Sequence, residues 1–344
     1  MYNIRESIKN TIEYKYLPKE MNNKDIVHIG YGIDNNYARC AGTSIVSFCI
    51  NNPEKKFAFY IMASDLSVIS KKNFKLLAEQ YSINISIYEI EKSFLGGLIT
   101  TKSFPISMYY RIILPIILKN LDNIFYIDAD VICINNACEL FNIDFKNKII
   151  LAVTDTKKTN DDRNSALKLQ NHVYFNSGVL GINVKKWNDL NIFDKFIKTA
   201  VRESKKLLLP DQDVLNMILL KEVKYLPRKF NWFNGFYKWE EDSIQNKKII
   251  LLHFTSTPKP WDLGWKVHSM CNKYNADLYN NYEMLTPWAN TPLEVPNTYK
   301  KMRLYARDLK RNGYYLDSIK WYLKYLTTKI KYLAELSIQV QYFF

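Results

Sequence analysis

Two carboxylates one residue apart, Asp128 and Asp130, follow the apolar run Ile124, Phe125, Tyr126 and Ile127 and precede Val131 and Ile132. A buried strand over 124–130 would carry side chains i and i+2 on one side to its carboxyl end. Two anions that close repel unless a cation lies between them, so the pair is suited to a divalent metal. An Asp-x-Asp triplet alone is weak, since composition yields about one by chance in a chain this long, and a second stands at Asp211 and Asp213. Context separates them. The first ends an apolar strand, where open α/β sheets bind ligands; the second follows Pro210 and is expected to start a helix.

A third ligand is best sought at His253, which ends the apolar run Ile249, Ile250, Leu251, Leu252. Carboxylates with an imidazole suit Mn²⁺ slightly better than Mg²⁺, and the alternative is a capped or buried histidine at a strand end. Lys259, within the stretch Thr255, Ser256, Pro258, Lys259, Pro260 and Trp261, supplies a cation suited to a phosphate leaving group. Near the start of the chain, Gly30, Tyr31, Gly32, Ile33, Asp34, Asn35, Asn36 and Tyr37 form a turn opening into a helix. Its glycines allow close backbone approach, Asp34 either caps the helix or accepts from a base N–H, and Tyr37 can stack on a planar ring. The turn is neither a G-x-G-x-x-G nor a Walker loop, which excludes a dinucleotide or ATP P-loop reading.

These residues need a scaffold. Apolar segments rich in β-branched and aromatic residues alternate with stretches of helical period, the pattern of a parallel or mixed α/β sheet. Strands are expected at 25–32, 56–63, 83–90, 124–130, 148–154, 177–184 and 248–255, and helices at 37–51, 67–81, 107–119 and 211–221, with Pro115 able to kink the third. Residues 1–22, which include Arg5, Glu6, Lys9, Glu13 and Lys15, read as a helical or loose extension rather than an apolar signal core. Pro287, Pro292 and Pro296 mark a linker into a C-terminal segment.

The 344 residues, 47% hydrophobic and 24% charged, are globular values, so a mainly disordered chain is excluded. Five cysteines without C-x-x-C spacing suggest neither a disulfide framework nor structural zinc. With no apolar run of 18 residues, a cytoplasmic protein is expected. The net charge of +14 points to polyanionic partners. Half of it lies from Pro296 to Phe344, where ten Lys or Arg face three Asp or Glu. On a helical wheel over 299–333, Ile319, Leu323, Leu326, Ile330 and Leu333 form one apolar stripe, flanked by Lys320, Lys324 and Lys331 on one side and by Trp321, Tyr325 and Tyr332 on the other. That makeup suits an in-plane helix on an anionic membrane; the alternative is a helix packed on its own domain with a solvated basic rim.

Six motifs stand in the order found in family 8 glycosyltransferases: Asp34 to Tyr37, Tyr109-Tyr110-Arg111, Phe125 to Asp130, Tyr174 to Leu180, Asp211-Gln212-Asp213 and His253 to Trp261. The chain resembles the bacterial lipopolysaccharide core glucosyl- and galactosyltransferases of that family. The resemblance implies a GT-A fold, a Rossmann-like mixed sheet with flanking helices over 23–265, followed over 266–344 by a helical, basic C-terminal extension that resembles the one those transferases carry. It implies retaining transfer of glucose or galactose from the UDP-sugar to a lipopolysaccharide core acceptor, by a protein peripheral on the inner face of the bacterial inner membrane. Uracil would lie on Tyr37 and Asp34 with Asn36 nearby, and Asp128, Asp130 and His253 would hold Mn²⁺ (or Mg²⁺) against the diphosphate. Arg111, Asn176, Asp211 and Gln212 would surround the donor sugar, Asp155 would lie towards the acceptor, and Lys259 would meet the phosphates. Ala129, Ser177 and Ser256 complete the implied donor-binding set, and Gln212, Asp211, Asp155 and Lys259 the catalytic one. Ser256 departs from the pattern, since related enzymes often have glycine there.

Two rival readings compete. A sugar-nucleotide-forming nucleotidyltransferase would open with a glycine-rich phosphate loop, which residues 30–37 do not provide. A non-enzymatic polyanion binder is suggested by charge and aromatics, but no nucleic acid is expected, because it leaves the metal and sugar motifs unexplained.

Overall fold

The computed structural model describes residues 4–101, 104–170, 172–235, 248–272 and 274–341. It comprises two compact units. The first contains Met1–Trp232, Lys247–His253 and Tyr282–Ala289; the second contains Phe233–Asn246, Phe254–Asn281 and Asn290–Phe344.

The first unit is built on the expected mixed sheet. Its strands are β1 (Ile8–Tyr14), β2 (Ile26–Asp34), β3 (Lys56–Ser64), β4 (Asn84–Ile90), β5 (Asn123–Ile127), β7 (Ile150–Thr154), β8 (Phe175–Asn183) and β9 (Val223–Leu226), in the order β1-β4-β3-β2-β5-β8-β7-β9. Neighbours β4, β3, β2 and β5 run parallel, whereas β8 is antiparallel to both β5 and β7. Central strands are covered on both faces, so Ile124, Phe125, Tyr126 and Ile127 are all buried, as the unbroken apolar run requires. A short strand β6 (Val131–Cys133) follows, and later the chain forms β10 (Trp232–Phe233) and β11 (Leu251–His253), which pairs antiparallel with β6.

Helices α1 (Ala38–Asn51), α2 (Val68–Gln80), α3 (Tyr110–Ile117), α4 (Cys138–Phe141), α5 (Lys157–Leu167), α6 (Val184–Asp189), α7 (Ile192–Arg202) and α8 (Pro210–Ile218) flank the sheet. Tyr109, Tyr110, Trp187 and Phe196 sit in the core beneath α3, α6 and α7. Two glycines of β2 receive the helical layer. A Cβ on Gly30 would lie 2.3 Å from Leu114 Cδ2, and one on Gly32 would lie 2.7 Å from the Ser107 carbonyl oxygen. The close approach expected there is therefore made by the protein's own helix and the turn before it, not left open for a ligand.

Two further expectations are corrected. Residues 8–14 are neither helical nor loose: they form an edge strand antiparallel to β4, with Ile12 opposite Ile87. Lys9, Asn10, Thr11 and Glu13 face solvent, as suits an exposed sheet edge. The strand expected over 124–130 ends at Ile127. Asp128 N–H then donates to the Gly178 carbonyl and Val131 N–H to that of Asp128, 2.7 and 3.0 Å, so the carboxylate pair lies in a turn between β5 and β6.

After α9 (Leu278–Glu283), the C-terminal segment forms two helices of the second unit, α10 (Tyr299–Arg311) and α11 (Tyr315–Gln341). Gly313, at φ +82°, breaks them in a backbone region that glycine alone occupies readily. They pack together: Ser318 Oγ donates to the Ala306 carbonyl at 2.7 Å, Trp321 meets Tyr305 edge-on at 5.2 Å, and Tyr325 is buried. The aromatic flank of α11 is thus used internally. Its aliphatic stripe is not: Leu316 is 78% exposed, Ile319 58%, Leu323 57% and Ile330 66%. Among the described residues, no helix is long and apolar enough to cross a membrane.

Candidate active site

Pairing of β6 with β11 brings the separate ligand candidates together. The register sets His253 opposite Val131, the residue after Asp130. One ligand atom each from Asp128, Asp130 and His253 then lie within 4.8 Å of one another. His253 Nε2 is 3.1 Å from Asp130 Oδ1 and 4.0 Å from Asp128 Oδ2. Gly178 on β8 lets these side chains pack directly on its backbone: a Cβ there would lie 2.4 Å from His253 Cε1 and 2.7 Å from Asp128 Oδ2. Two carboxylates and an imidazole whose ligand atoms converge in this way match the donor set of a divalent cation. The residues fit such a metal.

Arg111 is 5% exposed and knits the site from below. Its Nη2 donates to Asp128 Oδ1 at 2.9 Å and its Nη1 to the Ser177 carbonyl at 2.7 Å, and Nη1 forms an ion pair with Asp211 Oδ2 at 3.1 Å. Burial disfavours its charge, but Asp128 and Asp211 outweigh that and hold the guanidinium more firmly protonated than usual. The Tyr126 hydroxyl also donates to Asp128 Oδ1, at 2.9 Å, while the Arg111 guanidinium lies over its ring at 4.4 Å. Asp128 is therefore positioned as well as charged.

Beyond Gly178 lies a second polar cluster. Gln212 Oε1 accepts from Asn176 Nδ2 and from the Ser177 N–H, both at 3.0 Å, and Gln212 Nε2 donates to Asp155 Oδ2 at 2.9 Å. Asp155 also accepts from Asn176 Nδ2 at 3.1 Å and, through Oδ1, from the Thr156 N–H at 2.7 Å. Asp211 accepts from Ser177 Oγ at 2.9 Å, and burial pushes its carboxyl above the usual range against the pull of Arg111. Asp211 and Asp213 do open helix α8, as their position after Pro210 suggested. Asp213 is held apart from this cluster: it is bound by Arg163 at 2.9 and 2.7 Å and by the Tyr174 hydroxyl at 2.6 Å.

Asp34 caps the turn after β2, its Oδ1 accepting from the N–H groups of Asn36 and Tyr37 at 2.9 and 3.2 Å. Because β2 and β5 are parallel, with Gly30 opposite Tyr126, Asp34 and Asp128 leave the sheet at the same edge. Asn36 is exposed, Tyr37 half-buried and Ala129 buried. Ser256 and Lys259 lie in the second unit, where Lys259 Nζ donates to the Phe254 carbonyl. Sequence reasoning missed Tyr126 as a partner of Asp128 and missed Asn231, whose Oδ1 is 2.8 Å from His253 Nδ1. No spacing rule marks either residue.

The glycosyl transferase family 8 model matches residues 28–263 and the family 8 C-terminal model residues 275–329. A lipopolysaccharide 1,2-glucosyltransferase of Escherichia coli is 32% identical over 335 residues, covering 93% of this chain and 96% of that protein. A lipopolysaccharide 1,3-galactosyltransferase of Salmonella typhimurium is 28% identical over 335 residues, covering 94% and 97%. The galactosyltransferase LgtC, solved with donor and acceptor sugar analogues, superimposes with a TM-score of 0.65 at 20% identity over 76% of this chain and 96% of its own. The fold is GT-A. With its Asp-x-Asp turn at the sheet edge and both family models matched in sequence order, the chain belongs to glycosyl transferase family 8.

Proposed function

We propose that this enzyme transfers a hexose, glucose or galactose, from its UDP-sugar to a lipopolysaccharide core oligosaccharide with retention of configuration. The observation that carries the reading is the Asp128, Asp130 and His253 cluster packed on Gly178, at the sheet edge where Asp34 also ends. The near full-length relatives named for lipopolysaccharide glycosyl transfer support the acceptor class. Asp128, Asp130 and His253 would hold Mn²⁺ or Mg²⁺, which when bound supplies positive charge for a leaving diphosphate. Asp34, Asn36 and Tyr37 would receive the uracil, and Lys259 and Ser256 the phosphates. Asn176, Ser177, Asp211 and Gln212 would orient the sugar, with Arg111 acting through Asp128 and Asp211, Ala129 spacing the two ligands, and Asp155 towards the acceptor.

Retention by a covalent route requires an enzyme nucleophile opposite the leaving group. Both nearby carboxylates are already engaged: Asp155 accepts hydrogen bonds from Gln212, Asn176 and Thr156, and Asp211 accepts one from Ser177 and pairs with the Arg111 guanidinium. That supports front-face attack, in which the acceptor hydroxyl bonds to the anomeric carbon as the sugar–phosphate bond breaks and its proton passes to the leaving phosphate oxygen. Incubation with Mn²⁺ and each UDP-hexose, with and without truncated lipopolysaccharide, tests the reading. UDP release stimulated by acceptor is expected; pyrophosphate from UTP instead would identify a nucleotidyltransferase.

We further read the aliphatic stripe of α11, rimmed by Lys320, Lys324 and Lys331, as the contact with an anionic membrane surface. Because Trp321 and Tyr325 are engaged with α10, Leu316, Ile319, Leu323 and Ile330 are expected to carry the apolar part. Each buried aliphatic side chain is worth roughly 1.5–3 kcal/mol, so L323E combined with I330E should weaken binding to phosphatidylglycerol vesicles at least about a hundredfold while donor hydrolysis persists. Unchanged vesicle binding would remove this assignment.

A further inference from the structure

The hydrogen bonds around Asn176 and Asn231 can be oriented atom by atom, because they begin at groups whose polarity is fixed. The Gly178 backbone N–H can only donate, and it points at Asn176 Oδ1 at 2.9 Å. At its other end Asn176 faces two acceptors, Asp155 Oδ2 at 3.1 Å and Gln212 Oε1 at 3.0 Å. Gln212 is fixed in turn by the Ser177 backbone N–H, which donates to Oε1 at 3.0 Å. Asn176 therefore stands with its oxygen towards Gly178 and its NH₂ towards Asp155; a flipped amide would oppose donor to donor and acceptor to acceptor.

That orientation decides the next residue. Asn176 Oδ1 is 2.8 Å from Asn231 Nδ2, so Asn231 donates there and turns Oδ1 the other way. Asn231 is fully buried, and its Oδ1 lies 2.8 Å from His253 Nδ1. An amide oxygen is an acceptor only, so Nδ1 carries the hydrogen. In the neutral ring the lone pair then falls on Nε2, the nitrogen 3.1 Å from Asp130 Oδ1. Without Asn231 the opposite tautomer would be favoured, since Nε2–H could donate directly to Asp130, and the lone pair would point away from the carboxylates.

We propose that Asn231 is a positioning residue that fixes His253 as the Nδ1–H tautomer, so that its Nε2 lone pair faces Asp128 and Asp130, with Asn176 tying this setting to the Asp155 and Gln212 cluster. The consequence for metal affinity rests on the function proposed above; the tautomer does not. The chain has four histidines, so ¹⁵N-histidine labelling resolves the ring of His253 in the full-length, metal-free protein at alkaline pH. The Nδ1–H tautomer is expected in wild type. In N231L the ring should shift towards Nε2–H, and Mn²⁺ affinity measured calorimetrically without donor should fall about 10–100-fold. N231D restores an acceptor for Nδ1–H and should keep the tautomer, but it sets a carboxylate oxygen against Asn176 Oδ1, which Asn231 Nδ2 serves at 2.8 Å, so its melting temperature should fall and its ring, not its Mn²⁺ affinity, is the readout. Melting temperatures separate these effects from loss of fold, since unfolding also frees the ring from residue 231 and would by itself abolish the Nδ1–H preference.

An Nε2–H ring in wild type, or an N231L protein with unchanged tautomer and unchanged Mn²⁺ affinity, would overturn the proposal. If N231L does not fold, the wild-type and N231D rings still decide it. Wild-type protein with the Nδ1–H ring but no Mn²⁺ uptake would overturn the metal reading while supporting the role of Asn231.

Discussion

Asp130→Asn is expected to fold with an unchanged melting temperature and to lose turnover by about a thousandfold or more, roughly 4 kcal/mol of transition-state stabilisation. Asp130 is the cleaner of the two turn carboxylates to change. Asp128 is also bound by Arg111 and Tyr126, so its replacement would take away one of the two carboxylates paired with a buried guanidinium as well as remove a ligand. The Asp130 side chain is 13% exposed and faces His253, and an asparagine occupies the same volume with one oxygen and no charge. The rate of UDP release at saturating UDP-hexose and Mn²⁺ checks it, with thermal melting as control. Gly178→Ala probes the same cluster without touching a charge: its methyl group would press on His253 and Asp128. Comparable loss from both variants would place the chemistry in that space, whereas full activity in Asp130→Asn would remove the ligand assignment.

Asp128, Asp130 and His253 each end an apolar run, and such runs are buried strands whose ends reach a sheet edge. The period-2 argument for the convergence of Asp128 and Asp130 does not apply, because β5 stops at Ile127 and a turn carries both residues. What brings His253 to them is the pairing of β11 with β6, a contact between residues more than a hundred positions apart that no local pattern encodes. Asn231 is invisible for the same reason, since its role depends on which way two amides face. Edge strand β1 is not legible in the sequence because three consecutive residues of its seven, Lys9, Asn10 and Thr11, are exposed and polar. Local periodicity reports burial on a face; it does not report an edge.

The stripe on α11 shows the converse. Its spacing was legible, but which flank the protein keeps for itself was not. Trp321 and Tyr325 have the amphipathic character expected at a lipid interface, and the same property lets them pack against α10. A helical wheel cannot separate these uses, because it contains one helix and the choice depends on two.

The second Asp-x-Asp triplet is expected to behave oppositely to the first: Asp213→Ala should cost about 3–5 kcal/mol of stability, the range for removing one partner of a buried ion pair. Asp213 is fully buried. It accepts two hydrogen bonds from Arg163, one from Tyr174 at 2.6 Å and, through Oδ2, those of the Leu208 and Leu209 N–H groups at 2.8 and 3.0 Å. Truncation leaves a guanidinium that is itself buried without its counter-charge and strips acceptors from the turn that launches α8. Against a total stability of roughly 5–15 kcal/mol for a folded protein, that is a large fraction. Because α8 also carries Asp211 and Gln212, activity should fall with the folded population rather than through a missing group. Urea denaturation with a parallel activity measurement at low denaturant separates the two. Asp213→Asn, which keeps an acceptor for Tyr174 but drops the charge, should fall between wild type and the alanine variant. A stable Asp213→Ala protein without turnover would instead place Asp213 among the reacting groups and would reopen a covalent route.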